Sequence, residues 1–306
     1  MVVATAHDQL LVYAQLVVAG ITTGAVYGLL ALGFVVIYRA SKVLNFAEAG
    51  IGAVGAYVLY ALMNGSSGSS ARFVGAFAVG LLVATAVGVL TERVAVRPLR
   101  RAPAIAPLIA TVGVLLLIQA VIIVIFGGDL HNIRSPLPRE PFRIGHLIGL
   151  DRVVITSQGT LVLLVLVGVG AALVVLMSRT RWGLAVRAIS EDLDSAGELG
   201  VRVGRVSMQA WALGSALGAA ASMLFATTNV LTPVDLALVQ IKALVVAVFA
   251  GLSDLRLCIL GGPLLGVIEN LAGRTGVAGL NQSIGFFALI LVLMLRSHAL
   301  MEEAGA

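Results

Sequence analysis

Two polar side chains interrupt an apolar stretch near the start of the sequence. The stretch SKVLNFAEAGIGAVGAY runs from Ser41 to Tyr57 and contains Asn45 and Glu48. An unpaired carboxylate in such a place costs roughly 2.5–3.5 kcal/mol on membrane-insertion scales, so its presence requires a reason. Asn45, Phe46 and Glu48 are therefore candidates for contact with a solute, and the Glu48 carboxylate suits a solute ammonium group. A polar cluster that fixes the packing of helices is the structural alternative.

The spacing of these residues predicts how a helix would present them. Asn45 and Glu48 are three positions apart and Lys42 is one turn earlier, so all three would share one helix face. We expect a polar ladder in which the Lys42 ammonium lowers the cost of burying the Glu48 carboxylate.

The composition places this stretch in a membrane. The chain has 306 residues, of which 59% are apolar and 11% are charged, and its mean hydropathy is +1.06. A soluble domain is nearer 45–50% apolar and about 25% charged. The single cysteine, Cys258, excludes an internal disulfide. The pI of about 9.9 reflects arginines in loops and not nucleic-acid binding.

The apolar segments predict an all-α polytopic membrane protein with eight or nine transmembrane passes. Some passes should be broken or tilted, because the first segment is too long for an upright span and the last three are short. The segments lie at Leu10–Tyr38, Val43–Met63, Phe73–Leu90, Leu108–Phe126, Gly159–Met177, Ser207–Thr228, Leu236–Gly251, Leu255–Leu271 and Ser283–Leu295. The first segment also holds Gly20, Gly24, Gly28 and Gly33, a spacing typical of closely packed helix faces.

The basic residues predict the orientation. With nine passes, one set of loops holds thirteen lysines and arginines and the opposite set holds six. The richer set should be cytoplasmic, so the N-terminus lies outside. No polar interval is long enough for a separate soluble domain, so residues 1–306 form one domain. Its external cap is predicted at 127–158 and its longest cytoplasmic loop at 178–206. Within the apolar segments, Lys242 is expected to snorkel to the interface and Glu269 to cap a helix end.

The cytoplasmic loop 178–206 contains a predicted amphipathic helix from Ser190 to Gly200. Ser190 is a favourable N-cap, and Gly200 suits the C-terminal exit. Ile189, Leu193 and Ala196 recur with Gly200 on one narrow apolar face, which could dock into a groove of a partner. A solvated connector is the alternative. Motifs for nucleotide binding, zinc hydrolysis or serine catalysis are absent, which favours a protein that moves or anchors something.

This loop resembles the coupling loop of ABC importer permeases, in the branched-chain amino acid permease family. The matching residues are Arg179, Thr180, Gly183, Ala185, Arg187, Ala188, Glu191, Ala196 and Gly200. Similar segments begin at Gly24, Glu92 and Ala243, so the resemblance spans nearly the whole chain. Glu48 departs from the family, which commonly has histidine or glutamine at that place.

The resemblance implies a permease subunit of an importer in a bacterial inner membrane. It implies cytoplasmic ATPase subunits that hold ATP and Mg²⁺, a second homologous permease, and an extracytoplasmic substrate-binding protein; the chain itself would hold no cofactor and no metal and would not be an enzyme. The residues that it assigns to ATPase coupling are Arg187, Ala188, Glu191, Leu193, Ala196, Leu199 and Gly200. The implied cargo is a branched-chain amino acid or a similar small polar solute.

Three alternatives stay open at this point. Urea or a short amide is a second cargo class for the same kind of permease. A self-sufficient secondary transporter or channel could use Glu48 as a proton or cation site. A membrane scaffold that transports nothing is the third.

Overall fold

The computed structural model describes residues 6–64, 69–100, 102–103, 105–133, 142–143, 153–232, 235–274, 283–288, 290 and 294. The helices are α1 (Ala6–Ser41), α2 (Glu48–Met63), α3 (Ser70–Thr91), α4 (Ile105–Phe126), α5 (Ser157–Arg179), α6 (Arg181–Glu191), α7 (Leu193–Glu198), α8 (Val203–Thr228), α9 (Asp235–Phe249) and α10 (Leu255–Gly273). A π-helical turn (Glu92–Val96) and a 3₁₀ turn (Arg97–Leu99) extend α3. Residues 283–288 are also helical.

The helices confirm an all-α polytopic membrane protein. Among the described residues, six helices are long and apolar enough to cross a membrane: α1, α3, α4, α5, α8 and α10. The apolar helix α2 has 16 residues and α9 has 15, about 24 and 22 Å at 1.5 Å per residue. Both are shorter than the hydrocarbon core of about 30 Å, as expected for broken or tilted passes. The total of eight or nine passes and the outward N-terminus stay predictions.

The long helix α1 lies at the centre of the bundle. In its most apolar window 83% of the residues are buried, against 17% in α4. The exposed side chains of α4 are large and apolar, for example Val124 and Ile125, which suits contact with lipid. The centre of the protein therefore holds the helix with the glycine series, and the most hydrophobic helix is at the periphery.

The glycine series of α1 packs against α10, as its spacing predicts. A Cβ added at Gly20 would lie 2.5 Å from the Val267 Cα, and one at Gly24 would lie 2.2 Å from the Gly262 carbonyl oxygen. On α10, a Cβ at Gly266 would lie 2.2 Å from the Gly20 carbonyl oxygen. A backbone can approach a neighbouring helix this closely only where its residue at the contact is glycine.

The predicted polar ladder of Lys42, Asn45 and Glu48 is wrong. The helix α1 ends at Ser41, and α2 begins only at Glu48. Lys42 has a φ of +56°, which lies outside the helical region and breaks the chain direction. We call residues 42–47 the 42–47 turn. Since this turn separates the two helices, Lys42 and Glu48 do not share a face.

Part of the predicted external cap is described. Two short strands, β1 (Phe142–Arg143) and β2 (Val154–Ile155), pair antiparallel. The side chain of Gln15 holds β2 against α1, because it donates to the Val154 carbonyl at 3.0 Å and accepts from the Val154 amide at 2.9 Å. Residues 134–141 and 144–152 lie outside the described residues, so the cap at 127–158 stays a prediction.

Candidate coupling surface and permeation path

The predicted coupling helix consists of two helices with a sharp junction. Thr180 caps α6 by accepting from the Gly183 amide at 3.0 Å, and Asp192 caps α7 by accepting from the Ser195 amide at 2.6 Å. The predicted N-cap, Ser190, is instead inside the last turn of α6. Asp192 is extended, with φ −145° and ψ 121°, because an N-cap residue stands outside the helix that it begins. We call Arg181–Gly200 the coupling segment.

Gly200 ends α7 as predicted. Its φ is +87°, and the following Val201 amide bonds to the Ala196 carbonyl at 3.0 Å. This left-handed exit at the residue after a helix is the common use of glycine there. Gly200 is thus required for the backbone path of the coupling segment, whatever else contacts it.

The narrow apolar face of the coupling segment points into the protein. Ile189 is fully buried and Ala196 is 2% exposed, so neither is available to a partner in this conformation. Arg187, Ala188 and Leu193 are half-buried. The part of the predicted coupling set that faces outward is Glu191, Leu199 and Gly200, and Leu199 is 84% exposed. The periodicity located an apolar face but did not reveal that the chain itself covers it.

Lys42 connects the coupling segment to the 42–47 turn. Its ammonium donates to the carbonyl oxygen of Ser190. A cation at the carbonyl end of a helix is stabilising, because it meets the negative end of the helix dipole. Lys42 therefore stabilises the C-terminal end of α6 and does not neutralise the Glu48 carboxylate.

Side chains hydrogen-bond to the backbone of the 42–47 turn and of the first turn of α2. Asn45 is 1% exposed, and its side-chain oxygen accepts from the Ala47 amide at 3.0 Å. The Phe46 amide donates to Thr111 of α4 at 3.2 Å. Gln240 of α9 donates to the Phe46 carbonyl at 2.9 Å and accepts from the Ala49 amide at 2.7 Å. The turn thus joins α2, α4 and α9.

Glu48 lies in a slot between α1 and α8. It is fully buried, and neither carboxyl oxygen has a hydrogen-bond partner among the described residues. A Cβ at Gly33 would lie 2.1 Å from the Glu48 Oε1 atom, and one at Gly218 would lie 2.9 Å from its Cγ. The two glycines make the slot. In this conformation a solute cannot reach Glu48 or Asn45, and of the predicted path residues only Phe46 is partly exposed.

A pair of opposite charges lies elsewhere in the bundle, where the sequence predicted two unrelated residues. Lys242 of α9 forms an ion pair with Glu269 of α10. The Tyr27 hydroxyl of α1 donates to the other Glu269 oxygen at 3.0 Å. The expected snorkelling of Lys242 and capping by Glu269 are therefore wrong. The two side chains are 27 positions apart on different helices, and no local pattern predicts that they meet.

The ion pair borders a cavity of about 780 Å³. The cavity lies between α1, α8, α9, α10 and the helix at 283–288, at the end of α8 opposite the coupling segment. We call it the outer cavity, because the predicted orientation places this end of α8 outside. Its polar lining is Thr23, Tyr27, Asn229, Asp235, Lys242, Glu269, Asn270 and Arg274, and much of the rest is apolar.

Comparison with known proteins shows the family of this chain. The family model described as "Branched-chain amino acid transport system / permease component" matches residues 16–295. The chain belongs to this permease family. It is 31% identical over 295 residues to the high-affinity branched-chain amino acid transport system permease protein BraD of Pseudomonas aeruginosa, covering 94% of this chain and 95% of BraD.

Other members of the permease family are less similar but also match over most of their length. The chain is 29% identical over 294 residues to LivH of Escherichia coli K12, covering 94% of each protein. It is 26% identical over 292 residues to a probable branched-chain amino acid permease of Methanocaldococcus jannaschii, covering 89% of this chain and 87% of that protein. No solved structure is significantly similar to the chain.

Within this permease fold, sequence reasoning missed the residues that hold the site together. Thr111 and Gln240 bind the 42–47 turn, and Tyr27 binds Glu269. A signal did exist, because polar side chains inside apolar helices seek partners on neighbouring helices. That signal identifies such residues but does not name their partners.

Proposed function

We propose that this chain is the transmembrane permease subunit of an ATP-driven ABC importer for branched-chain amino acids in the cell membrane. A separate cytoplasmic ATPase subunit would hold ATP and Mg²⁺, a second permease would complete the pore, and an extracytoplasmic binding protein would deliver the amino acid. The family match over residues 16–295 supports the class.

The observation that carries the proposal is the connection of an exposed segment to the centre of the bundle. The coupling segment presents Glu191 and Leu199 on its outside, while Lys42 binds it to the 42–47 turn. A partner that moves the coupling segment would pull on this turn, which lies among α1, α2, α4 and α9. A passive connector between two spans does not need such an attachment.

The first test measures whether the ATPase subunit binds through Leu199. Because this leucine is 84% exposed, Leu199→Asp should leave the fold intact. We expect the variant to insert normally but to lose the ATPase subunit on copurification. The matched control is Leu130→Asp, which is 71% exposed at the opposite end of the protein and should retain the ATPase subunit. Gly200→Trp is a poorer probe, since the left-handed φ of Gly200 adds strain of its own.

The second test measures transport in proteoliposomes that contain this permease, the second permease, the ATPase subunits and the binding protein. We expect leucine uptake that requires ATP and is absent for Leu199→Asp. Uptake without ATPase subunits, driven by a proton gradient, would instead support a secondary transporter. Uptake of urea in place of leucine would support the short-amide class. Full copurification of the ATPase subunit with Leu199→Asp would reject the assigned coupling surface.

A further inference from the structure

The ion pair of Lys242 and Glu269 lies deep inside the outer cavity. Lys242 is seven residues from the start of α9, about 10 Å along the helix axis. Its side chain is 15% exposed and that of Glu269 is 11% exposed. Both charges therefore retain a small accessible surface, and the cavity that they border falls within the size range of small-molecule sites, about 300–1,000 Å³. Ionisable residues at such depth in a membrane protein mark functional sites.

We propose that the outer cavity binds the zwitterionic head of a free α-amino acid between Lys242 and Glu269. This inference rests on the proposed function, because it places the cargo of the importer. The ligand carboxylate would accept from the Lys242 ammonium, and the ligand ammonium would donate to the Glu269 carboxylate. The assignment gives the cargo contact to this pair and not to Glu48, which is enclosed.

The hydrogen bonds around the pair leave room for these contacts. An ammonium has three donors, and Lys242 directs one to Glu269 and approaches the Tyr27 hydroxyl at 3.4 Å. The Tyr27 hydroxyl holds Glu269 Oε2 at 3.0 Å, so this carboxylate stays oriented when Oε1 changes partner. A ligand can thus share or replace the ion pair without releasing Glu269 from α1.

The charges select a zwitterion over other small solutes. Removing one partner from a poorly solvated ion pair is costly, because it leaves the other charge unpaired. A zwitterion that enters the pair offers an opposite charge to each side. A solute with a single charge would satisfy one side only, and a neutral amide or urea would satisfy neither fully. Asp235 and Arg274, which also line the cavity, are again of opposite sign.

The cavity wall suits an apolar side chain. Besides the polar groups, the lining includes Leu16, Phe225, Leu238, Val239 and Phe286. Burial of apolar surface against such a wall is favourable by about 25 cal/mol per Å². A small amino acid with an aliphatic side chain therefore matches both parts of the cavity.

Protection of a cysteine against labelling tests the site directly, without the binding protein. Val230 lines the cavity and is 39% exposed, so Val230→Cys can be labelled with a water-soluble maleimide. The native Cys258 is fully buried and should not react. At a leucine concentration of ten times Kd, labelling should slow about tenfold by mass action. Leu130→Cys, outside the cavity, is the control and should label at a rate independent of leucine.

Two further comparisons complete the test: ligands that lack one or both charges of leucine, and variants that lack the ion pair or part of the cavity. Leucinamide, 4-methylpentanoate and urea should protect Val230→Cys much less than leucine does. The double substitution Lys242→Met with Glu269→Gln removes both charges, keeps the hydrogen bond from Tyr27, and should abolish protection and uptake. Leu238→Trp places a larger side chain in the cavity but keeps the charges of Lys242 and Glu269, so it should also abolish protection in a protein that is still folded.

The failures of this inference and of the proposed function are distinguishable. Absence of ATP-driven leucine uptake by the wild-type importer would reject the proposed function. Normal wild-type uptake without protection of Val230→Cys would overturn only the inference. Normal uptake by the double variant of Lys242 and Glu269, or equal protection by urea and leucine, would overturn it as well.

Discussion

Substitution of Gly24 by alanine should destabilise the protein, because this glycine is at the closest approach of α1 and α10. An added Cβ would lie 2.2 Å from the carbonyl oxygen of Gly262 and 2.7 Å from the Cα of Pro263. Both atoms belong to the backbone and cannot rotate away. The helices would have to separate by about 1 Å to restore a normal contact, which is about 3.5 Å.

The expected magnitude combines two effects of opposite sign. Overpacking of a tight interior costs about 1–3 kcal/mol, whereas alanine in the middle of a helix is favoured over glycine by about 0.5–1 kcal/mol. The net loss in the free energy of unfolding is therefore at most about 2.5 kcal/mol, and Gly24→Ala should be about 1–3 kcal/mol less stable than a glycine-to-alanine change that makes no such contact. Separation of the helices should also lengthen the hydrogen bond between Tyr27 and Glu269, since these residues are close along the chain to the glycine contacts.

Unfolding of the purified protein in mixed micelles, followed by circular dichroism as the denaturing detergent increases, measures this loss. The matched control is Gly168→Ala in α5, where the added Cβ has no atom within 4 Å. This control should be as stable as the wild type or slightly more stable. Equal stability of Gly24→Ala and Gly168→Ala would refute the argument from backbone contact.

Four further predictions address the site. Gln240→Leu leaves the Phe46 carbonyl and the Ala49 amide without their partner, so it should lower the free energy of unfolding by about 1–3 kcal/mol for each of these two groups in the same unfolding assay. Glu48 is enclosed and Glu48→Gln loses no hydrogen bond present among the described residues, so leucine preference should be unchanged; an altered cargo preference in the uptake assay would reject the enclosed position of Glu48. Lys42→Met should keep ATPase binding on copurification but reduce uptake, because it removes the contact with Ser190. The amide of Ser195 lowers the pKa of the Asp192 carboxyl below its usual value of 3.8. The Asp192 cap therefore stabilises α7 fully above pH 3.8, and this stabilisation is lost as the pH falls through the lowered pKa. Hydrogen exchange of α7, corrected for the intrinsic rate at each pH, should become faster in that range and should be fast at all pH values in Asp192→Ala.

Local patterns in the sequence predict the helices and one of their contacts. Long apolar segments must form helices in a membrane, because no water satisfies the backbone. The four-residue spacing of Gly20, Gly24 and Gly28 marks one face of α1, and a face of glycines has close helix packing as its main use. These predictions succeed because each depends on residues within a few turns of one another.

Predictions fail where they depend on knowing which residue a side chain contacts. The periodicity of Ile189 and Ala196 locates an apolar face of the coupling segment but does not say whether the protein or a partner covers it. Lys42 and Glu48 are at helical spacing, yet the helix is interrupted between them, and Lys42 binds Ser190 instead. Long-range pairing follows from how the helices pack as a whole, and a single sequence does not state it.

The helix α9 contacts both the 42–47 turn and the outer cavity. Gln240 binds the 42–47 turn, and Lys242, two positions further along α9, pairs with Glu269. The 42–47 turn is also bound to the coupling segment, through the hydrogen bond from Lys42 to Ser190. Two positions on a helix are separated by about 3 Å along its axis, so a shift of α9 that follows the turn must also shift Lys242. Since Glu269 is held by Tyr27 on α1, such a shift changes the separation of the two charges while Glu269 keeps its orientation. Movement of the coupling segment would thereby open or close the space between the two charges, which is what the proposed cargo site needs in order to bind an amino acid and then let it go.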